Sequence, residues 1–282
     1  MKEITPQQIK ELRERTGVGM GKCKEALVSA QGDMDQAIDF LRKAGMASAV
    51  KKEGRETKEG MILSLETENK IVLVEANAET DFVVQNGRFK QFLEDCAKQA
   101  LEGSSKTLDE LLKEPYSKDS SITIDQYRNL VIQALGENIQ LRRLEVVEKK
   151  KDSSYGIYSH MGGKIVVVVE ISGASDQGVV AKEVAMHVAA ESPDYLSREE
   201  IPTAVIAREE EIARSQAQNK PANMIEKIVA GKVKAYTDQF CLLYQKYVKD
   251  NSLTVEQFVE KSGKESGKAL AIQRFWRWKV GQ

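Results

Sequence analysis

The chain is short of the residues that do metal and nucleophilic chemistry: 282 residues hold two histidines and three cysteines. His160 and His187 are too few for a His-rich metal site or for most multi-histidine catalytic arrangements. Cys23, Cys96 and Cys241 are odd in number and far apart, which suits neither a disulfide framework nor a zinc ligand set, so each reads as a small buried hydrophobe. No cofactor or bound metal is expected. Long apolar runs are also missing. Even the longest, such as Ile165 to Val169, span five residues, against the roughly 20 needed to cross a bilayer, and no membrane partner is expected. The opening Met1-Lys2-Glu3-Ile4-Thr5-Pro6 has no apolar core of an export signal, which makes a cytoplasmic address the expectation. An excess of positive charge is absent too: 42 Lys+Arg face 43 Asp+Glu, so the broad attraction that drives phosphate-backbone binding is lacking and no direct nucleic-acid partner is expected. There is no Walker-type phosphate loop, no Gly-x-Ser-x-Gly and no His-Glu-x-x-His, so covalent enzyme chemistry is not expected. Acid pairs such as Glu199-Glu200 and Glu209-Glu210-Glu211 read as solvated helix faces.

What is present is a globular composition, 41% apolar and 30% charged, in a length that suggests about two domains at roughly 150 residues each. Thr5-Pro6-Gln7-Gln8 has the spacing of a capping box with proline at the first helical position, and predicts a helix to about Thr16. Gly17-Val18-Gly19-Met20-Gly21 breaks it. A second helix is predicted from about Lys22 to Ala30 with Cys23, Ala26 and Leu27 inward. Asp33, with Gln36 three residues on, starts a third that runs through Ile38 and Leu41 to a stop at Gly45. Residues 1–45 thus form a three-helix module similar to the ubiquitin-associated (UBA-like) type, small enough that docking suits it better than catalysis. Two readings of Met20 stand side by side: a flexible docking thioether on the surface, or a core residue of the module. A helix-turn-helix DNA reader fits poorly, because Asp33, Asp35 and Asp39 lie where phosphate contacts would be needed.

Residues 46–59, small and charged, read as a helical or flexible linker. Beyond them one order of elements occurs twice. Met61 to Glu66 and Lys70 to Ala76 form a predicted hairpin, followed by helices over Arg88 to Leu101 and Ile124 to Leu135 and a strand over Ile139 to Val147. Tyr155 to His160 and Lys164 to Ile171 form a second hairpin, followed by a helix over Gly178 to Ala190, another at Val255 to Lys261, and a closing strand over Ala269 to Val280. The fold class is therefore α+β: two related antiparallel-sheet-plus-helix subdomains, at 60–150 and 151–282. The second carries an insertion at about 203–236. Its apolar stripes, Val205, Ile206, Ile212 and Ala213 and then Ile225, Ile228, Val229 and Val233, are split by Asn219-Lys220-Pro221-Ala222-Asn223, the pattern of an antiparallel coiled-coil hairpin. Each arm is about two heptads, too short to stand alone, so it needs its parent domain or a partner hairpin, and a homodimer through it is one expectation.

Several strings in this frame resemble one family. Leu12-Arg13-Glu14-Arg15-Thr16-Gly17-Val18-Gly19-Met20 with Cys23-Lys24-Glu25-Ala26-Leu27 resembles the N-terminal signature of the elongation factor Ts family. Glu75-Ala76-Asn77-Ala78-Glu79-Thr80-Asp81-Phe82-Val83 resembles its core signature. Gly136-Glu137-Asn138-Ile139, Ala185-Met186-His187-Val188-Ala189-Ala190 and Glu226-Lys227-Ile228-Val229-Ala230-Gly231-Lys232 follow in the family's order, so the likeness runs from residue 4 to about 281. It departs at Ala78, where members often carry Cys, and at Gln282, where some members continue into a C-terminal helix that also touches the partner.

The resemblance implies a guanine-nucleotide exchange factor for elongation factor Tu, without a covalent active site of its own. It implies that Thr80, Asp81, Phe82 and Val83 displace the Mg2+ ion held with GDP by the Tu protein. Arg13, Met20 and Gly21 match positions that dock on the GTPase domain, and His160 lies near the hairpin tip where the second half approaches it. From spacing alone, Thr80 or Asp81 is equally a helix cap with Phe82 and Val83 folded into the local core, Arg13 a solvated charge, and His160 a strand residue facing water. His187, on an apolar helix face, reads as core. A protein-binding adaptor built on the N-terminal module is the alternative function.

Overall fold

A computed structural model describes residues 4–16, 18–218 and 220–282. The expected breaks at Gly17 and Asn219 therefore fall at positions outside the described residues. The chain divides into two compact units, one of Met1–Lys149 with Gly162–Lys164 and Lys279–Gln282, the other of Lys150–Met161 with Ile165–Trp278.

The first unit opens with three helices, α1 (Pro6–Thr16), α2 (Met20–Ser29) and α3 (Met34–Val50). The box at the start of α1 is formed: Thr5 N–H donates to Gln8 Oε1 at 3.0 Å and Gln8 N–H to Thr5 Oγ1 at 3.2 Å. Asp33 caps α3, accepting from Gln36 N–H at 2.9 Å. Leu12, Val18, Cys23, Ala26, Leu27, Ile38 and Leu41 close the module's core. The third helix does not stop at Gly45; it continues to Val50. The reason is packing. Helix α3 lies against a later helix of this unit, and a Cβ on Gly45 would come 3.4 Å from the backbone oxygen of Asn129. That is ordinary contact distance, so the glycine sits inside a packed helix, at a cost of roughly 1 kcal/mol, and does not end it.

The rest of the first unit contains β1 (Glu59–Glu66), β2 (Lys70–Ala78), α4 (Asp81–Gln85), α5 (Gly87–Glu102), α6 (Leu108–Lys113), β3 (Pro115–Tyr116), β4 (Asp119–Thr123), α7 (Ile124–Leu135) and β5 (Ile139–Glu148). The sheet has the order β1-β2-β5 with both pairings antiparallel. Alternation along β2 turns Val72, Val74, Ala76 and Ala78 toward Phe89, Phe92, Leu93, Cys96, Ala97 and Ala100 of α5, and these residues are the centre of the main core. The helix α7 begins and ends where the sequence places it: Thr123 and Gln126 form a capping box, and Gly136 closes it at φ 82°.

The second unit contains β6 (Ser153–His160), β7 (Ile165–Ser172), α8 (Gly178–Glu191), α9 (Thr203–Gln216), α10 (Ala222–Phe240), β8 (Lys246–Tyr247), β9 (Asp250–Thr254), α11 (Val255–Ser266) and β10 (Ala271–Lys279). Its sheet, read β6-β7-β10, repeats the strand order of the first. The inserted α9 and α10 form a helical hairpin around Ala213, Val229 and Val233. Among the described residues no helix is long and apolar enough to cross a membrane.

The duplication reaches into individual hydrogen bonds. In the first half Tyr116 stacks on Tyr127 with centroids 4.3 Å apart and donates its hydroxyl to Asp95 at 2.6 Å, while Lys118 pairs with the same carboxylate at 2.7 Å. In the second, Tyr247 stacks on Phe258 at 4.2 Å and donates to Glu183 at 2.7 Å, while Lys249 pairs with that carboxylate at 2.6 Å. Burial first, and then the hydrogen bond to a carboxylate, pushes both tyrosine hydroxyls above their ordinary pKa, so each stays a proton donor. Gln99 donates Nε2–H to Pro115 O at 2.8 Å and accepts from Ser117 N–H at 3.0 Å. His187 stands in its place, with Nδ1 accepting from Val248 N–H at 3.2 Å and Nε2 lying 3.0 Å from Gln245 Oε1. That pairing assigns the proton of the neutral ring to Nε2.

Burial pushes the His187 pKa below its ordinary 6.5, so the unfolded chain takes up a proton before the folded one does. Its contribution to stability is full above that ordinary value and is lost as pH falls from there toward the folded-state pKa. His187→Gln, which reproduces the first half's Gln99, should fold and should flatten this part of the acid dependence, as measured by urea denaturation midpoints on either side of the ordinary histidine pKa.

Candidate functional site

Two halves built to one plan make their differences informative. In the second half the chain passes from Ser172 at the end of β7 to Gly178 at the start of α8, whereas in the first it passes from Ala78 to Gly87 and inserts α4 on the way. The extra chain holds the Thr80-Asp81-Phe82-Val83 tetrapeptide. A register shift in the β2·β5 pairing at Glu75 and Ala76 lies just before it, the kind of irregularity that re-aims a strand's end.

Two caps define this connection. Thr80 is extended, at φ −128° and ψ 157°, and its Oγ1 accepts from Val83 N–H at 3.4 Å to start α4. Asn86 ends α4 and caps α5, its side chain accepting from Arg88 N–H at 2.9 Å. Between them α4 is a single turn of five residues, too short to persist without tertiary anchors. It has two. Val83 and Val84 are buried in the main core beneath it. On its polar side Thr80 Oγ1–H donates to Glu137 Oε1 at 2.7 Å and Thr80 N–H donates to Glu137 Oε2 at 3.0 Å. Next to this pair, Asn138 N–H donates to Glu79 Oε1 at 2.6 Å. The Asn138 carboxamide also donates to Arg55 O at 3.0 Å and Glu53 O at 3.3 Å, gathering the segment that follows α3.

Above these anchors Phe82 is 85% exposed. Asp81 beside it is also exposed, in the first turn where a carboxylate complements the helix dipole. The reading that folds Phe82 into the local core is therefore wrong for Phe82 and right for Val83. A large aromatic ring in water forgoes about 2–3 kcal/mol of burial, and this one stands on a base held by buried Val83 and Val84 and by the Thr80–Glu137 and Glu79–Asn138 hydrogen bonds.

The other expected site residues are distributed as follows. Arg13 is exposed on α1, and Met20, the first residue of α2, is 59% exposed, so it is a surface residue of the module and not part of its core. Gly21 follows it with open space around its Cα. Cys23 lies beneath them, its thiol pushed up by burial against the opposing effects of Thr16 and Arg13. His160 ends β6, exposed, with Nδ1 3.1 Å from the Tyr158 hydroxyl oxygen; it belongs to the second unit, while the other seven belong to the first. His187 is fully buried, as its helix face predicts. Val84, Glu79, Glu137 and Asn138 also carry the site; the sequence gives none of them a role, and Glu79, Glu137 and Asn138 stand only within the matching strings.

A rigid base that displays an aromatic ring, joined to a small helical module with an exposed methionine, is the build of a protein-binding factor. The family model described as Elongation factor TS matches residues 79–282. Elongation factor Ts of Protochlamydia amoebophila is 57% identical over 282 residues, covering 100% of both chains. Those of Chlamydia felis and Chlamydia muridarum are 40% and 41% identical over 281 residues, again covering 100% of each chain. The chain belongs to the elongation factor Ts family and is a translation elongation factor of that kind.

The contrast between exposed and buried phenylalanines has a direct test. Phe82→Ala should leave stability within about 0.5 kcal/mol of the parent, whereas Phe89→Ala, at a fully buried position, should cost about 3–5 kcal/mol, both read from urea denaturation.

Proposed function

We propose that this protein is a guanine-nucleotide exchange factor for elongation factor Tu, and that Phe82 on its fixed base drives GDP release. The observation that carries the reading is the 85% exposure of Phe82 on a turn anchored by buried Val83 and Val84 and by the Thr80–Glu137 hydrogen bonds, a turn that the second half of the molecule lacks.

The physical step is a transfer of strain. Mg2+ at a nucleotide site requires near-octahedral oxygen ligation at about 2.0–2.1 Å, so small displacements of its ligands weaken it disproportionately. Phe82 enters the GTPase next to the nucleotide and buries roughly 150 Å2 or more of aromatic surface, while Asp81 redirects polar groups near the ion. Val83 and Thr80 hold the turn that delivers them. Arg13, Met20 and Gly21 dock the N-terminal module on the same partner, and His160 contacts it from the second half. Linkage makes the effect mutual: the factor weakens GDP binding by the ratio by which GDP weakens the factor, and GTP refills the emptied site. No covalent step is involved. An adaptor would need only the exposed face of α1 and α2 and leaves the α4 turn without a purpose.

Stopped-flow release of a fluorescent GDP from the Tu protein tests the reading. The parent chain should accelerate release, and the acceleration should fade as Mg2+ is raised. Phe82→Ala should lower the maximal release rate at least about tenfold while changing the half-saturating concentration of the factor far less, the pattern of an interaction made mainly in the transition state. Release unaltered by Phe82→Ala would remove the ring from the mechanism.

A further inference from the structure

The exposed ring raises a question that its own contacts do not answer. An aromatic side chain on a one-turn helix in water has every reason to fold back onto the nearest apolar surface, and Val83 and Val84 fix only the underside of the turn. What fixes its entry is the carboxylate of Glu137, and resting on the exchange-factor reading above, we propose that Glu137 is the positioning residue for Phe82 in nucleotide exchange.

The geometry is bidentate. One carboxylate oxygen takes the Thr80 hydroxyl at 2.7 Å and the other the Thr80 backbone N–H at 3.0 Å. Because the hydroxyl donates to Glu137, its lone pair is left to accept Val83 N–H, which is the cap that starts α4. Both the backbone direction at Thr80 and the rotamer of its side chain are thereby set two residues before the ring. Glu137 is itself placed by an anchored turn: Gly136 ends α7 in the left-handed region at φ 82°, and Asn138, almost fully buried, is tied to Glu79 and to the backbone of residues 53 and 55.

The second half separates this function from simple folding. Its equivalent helix α11 starts with the same Thr-x-x-Gln box and ends with the same left-handed glycine, Gly267 at φ 67°. The next two residues are Lys268 and Ala269 where the first half has Glu137 and Asn138. The helix stop is retained without the carboxylate, so the scaffold does not need it. It is present only in the half that has an α4 turn to hold.

The test is a double-mutant cycle on GDP release. Glu137→Ala should reduce the maximal release rate about ten- to a hundredfold, the scale of a reacting group misplaced by about 1 Å, with a far smaller change in half-saturating concentration. Glu137→Gln, which retains one acceptor for Thr80, should recover part of that loss. Adding Glu137→Ala to Phe82→Ala should cost nothing further, because a residue acting through the ring has nothing left to position. Melting temperature measured on the same proteins separates misfolding from mispositioning, and Thr80→Val, which removes the hydroxyl half of the clasp, provides a second route to the same loss. Full release activity in Glu137→Ala, or a further loss on top of Phe82→Ala, overturns the proposal. If Phe82→Ala itself releases GDP at the parent rate, it is the exchange reading that fails, and the two failures are thereby distinct.

Discussion

The constraint on which this structure rests is that a three-stranded antiparallel sheet is too small to stand with a bare apolar face. In the first half β2 is the central strand, and its Val72, Val74, Ala76 and Ala78 are covered by α5 through Phe89, Phe92 and Leu93. In the second half Val167, Val169 and Ile171 of β7 pack in one core with Ala181, Val184, Ala185 and Val188 of α8. Once helix and sheet are locked together, the chain between them has its two ends fixed. A connection with fixed ends can display a side chain that its own energetics would not hold out. The α4 turn is such a connection.

The polar chemistry of the molecule follows the same division. The carboxylates Asp95 and Glu183 are each held by a tyrosine hydroxyl and a lysine, and both networks tie a short hairpin to the helix over the sheet. Paired in this way the buried Asp95 and the part-buried Glu183 are tolerated. These networks maintain shape in both halves alike. The Thr80–Glu137 and Glu79–Asn138 pairs belong to the first half, at the start of the turn that carries the exposed ring.

Most of the fold was legible in the sequence because its long elements obey simple periods. The limits of α7 follow from Thr123, Gln126 and Gly136, and the two hairpins from paired short β-prone runs. What was missed was short or depended on distant chain. The two-residue strands β3 and β8 and the five-residue α4 are below the length at which a period shows. The run of α3 past Gly45 is hidden because glycine reads locally as a stop, whereas the helix continues to Val50 with Gly45 inside it. The tetrapeptide was picked out by family resemblance; its own spacing is that of an ordinary helix start, and which of Phe82 and Val83 faces water is settled by packing. Glu137 lies 57 residues from Thr80 along the chain, and no local pattern links them.

The paired helix stops at Gly136 and Gly267 have a use beyond this one molecule. A duplicated chain carries an internal reference sequence: positions that agree between the halves report the demands of architecture, and positions that disagree at matched backbone geometry report what one half does for an outside party. Here Glu137 and Lys268 follow matching left-handed glycines, and of the two halves it is the one with the glutamate that also carries the α4 turn.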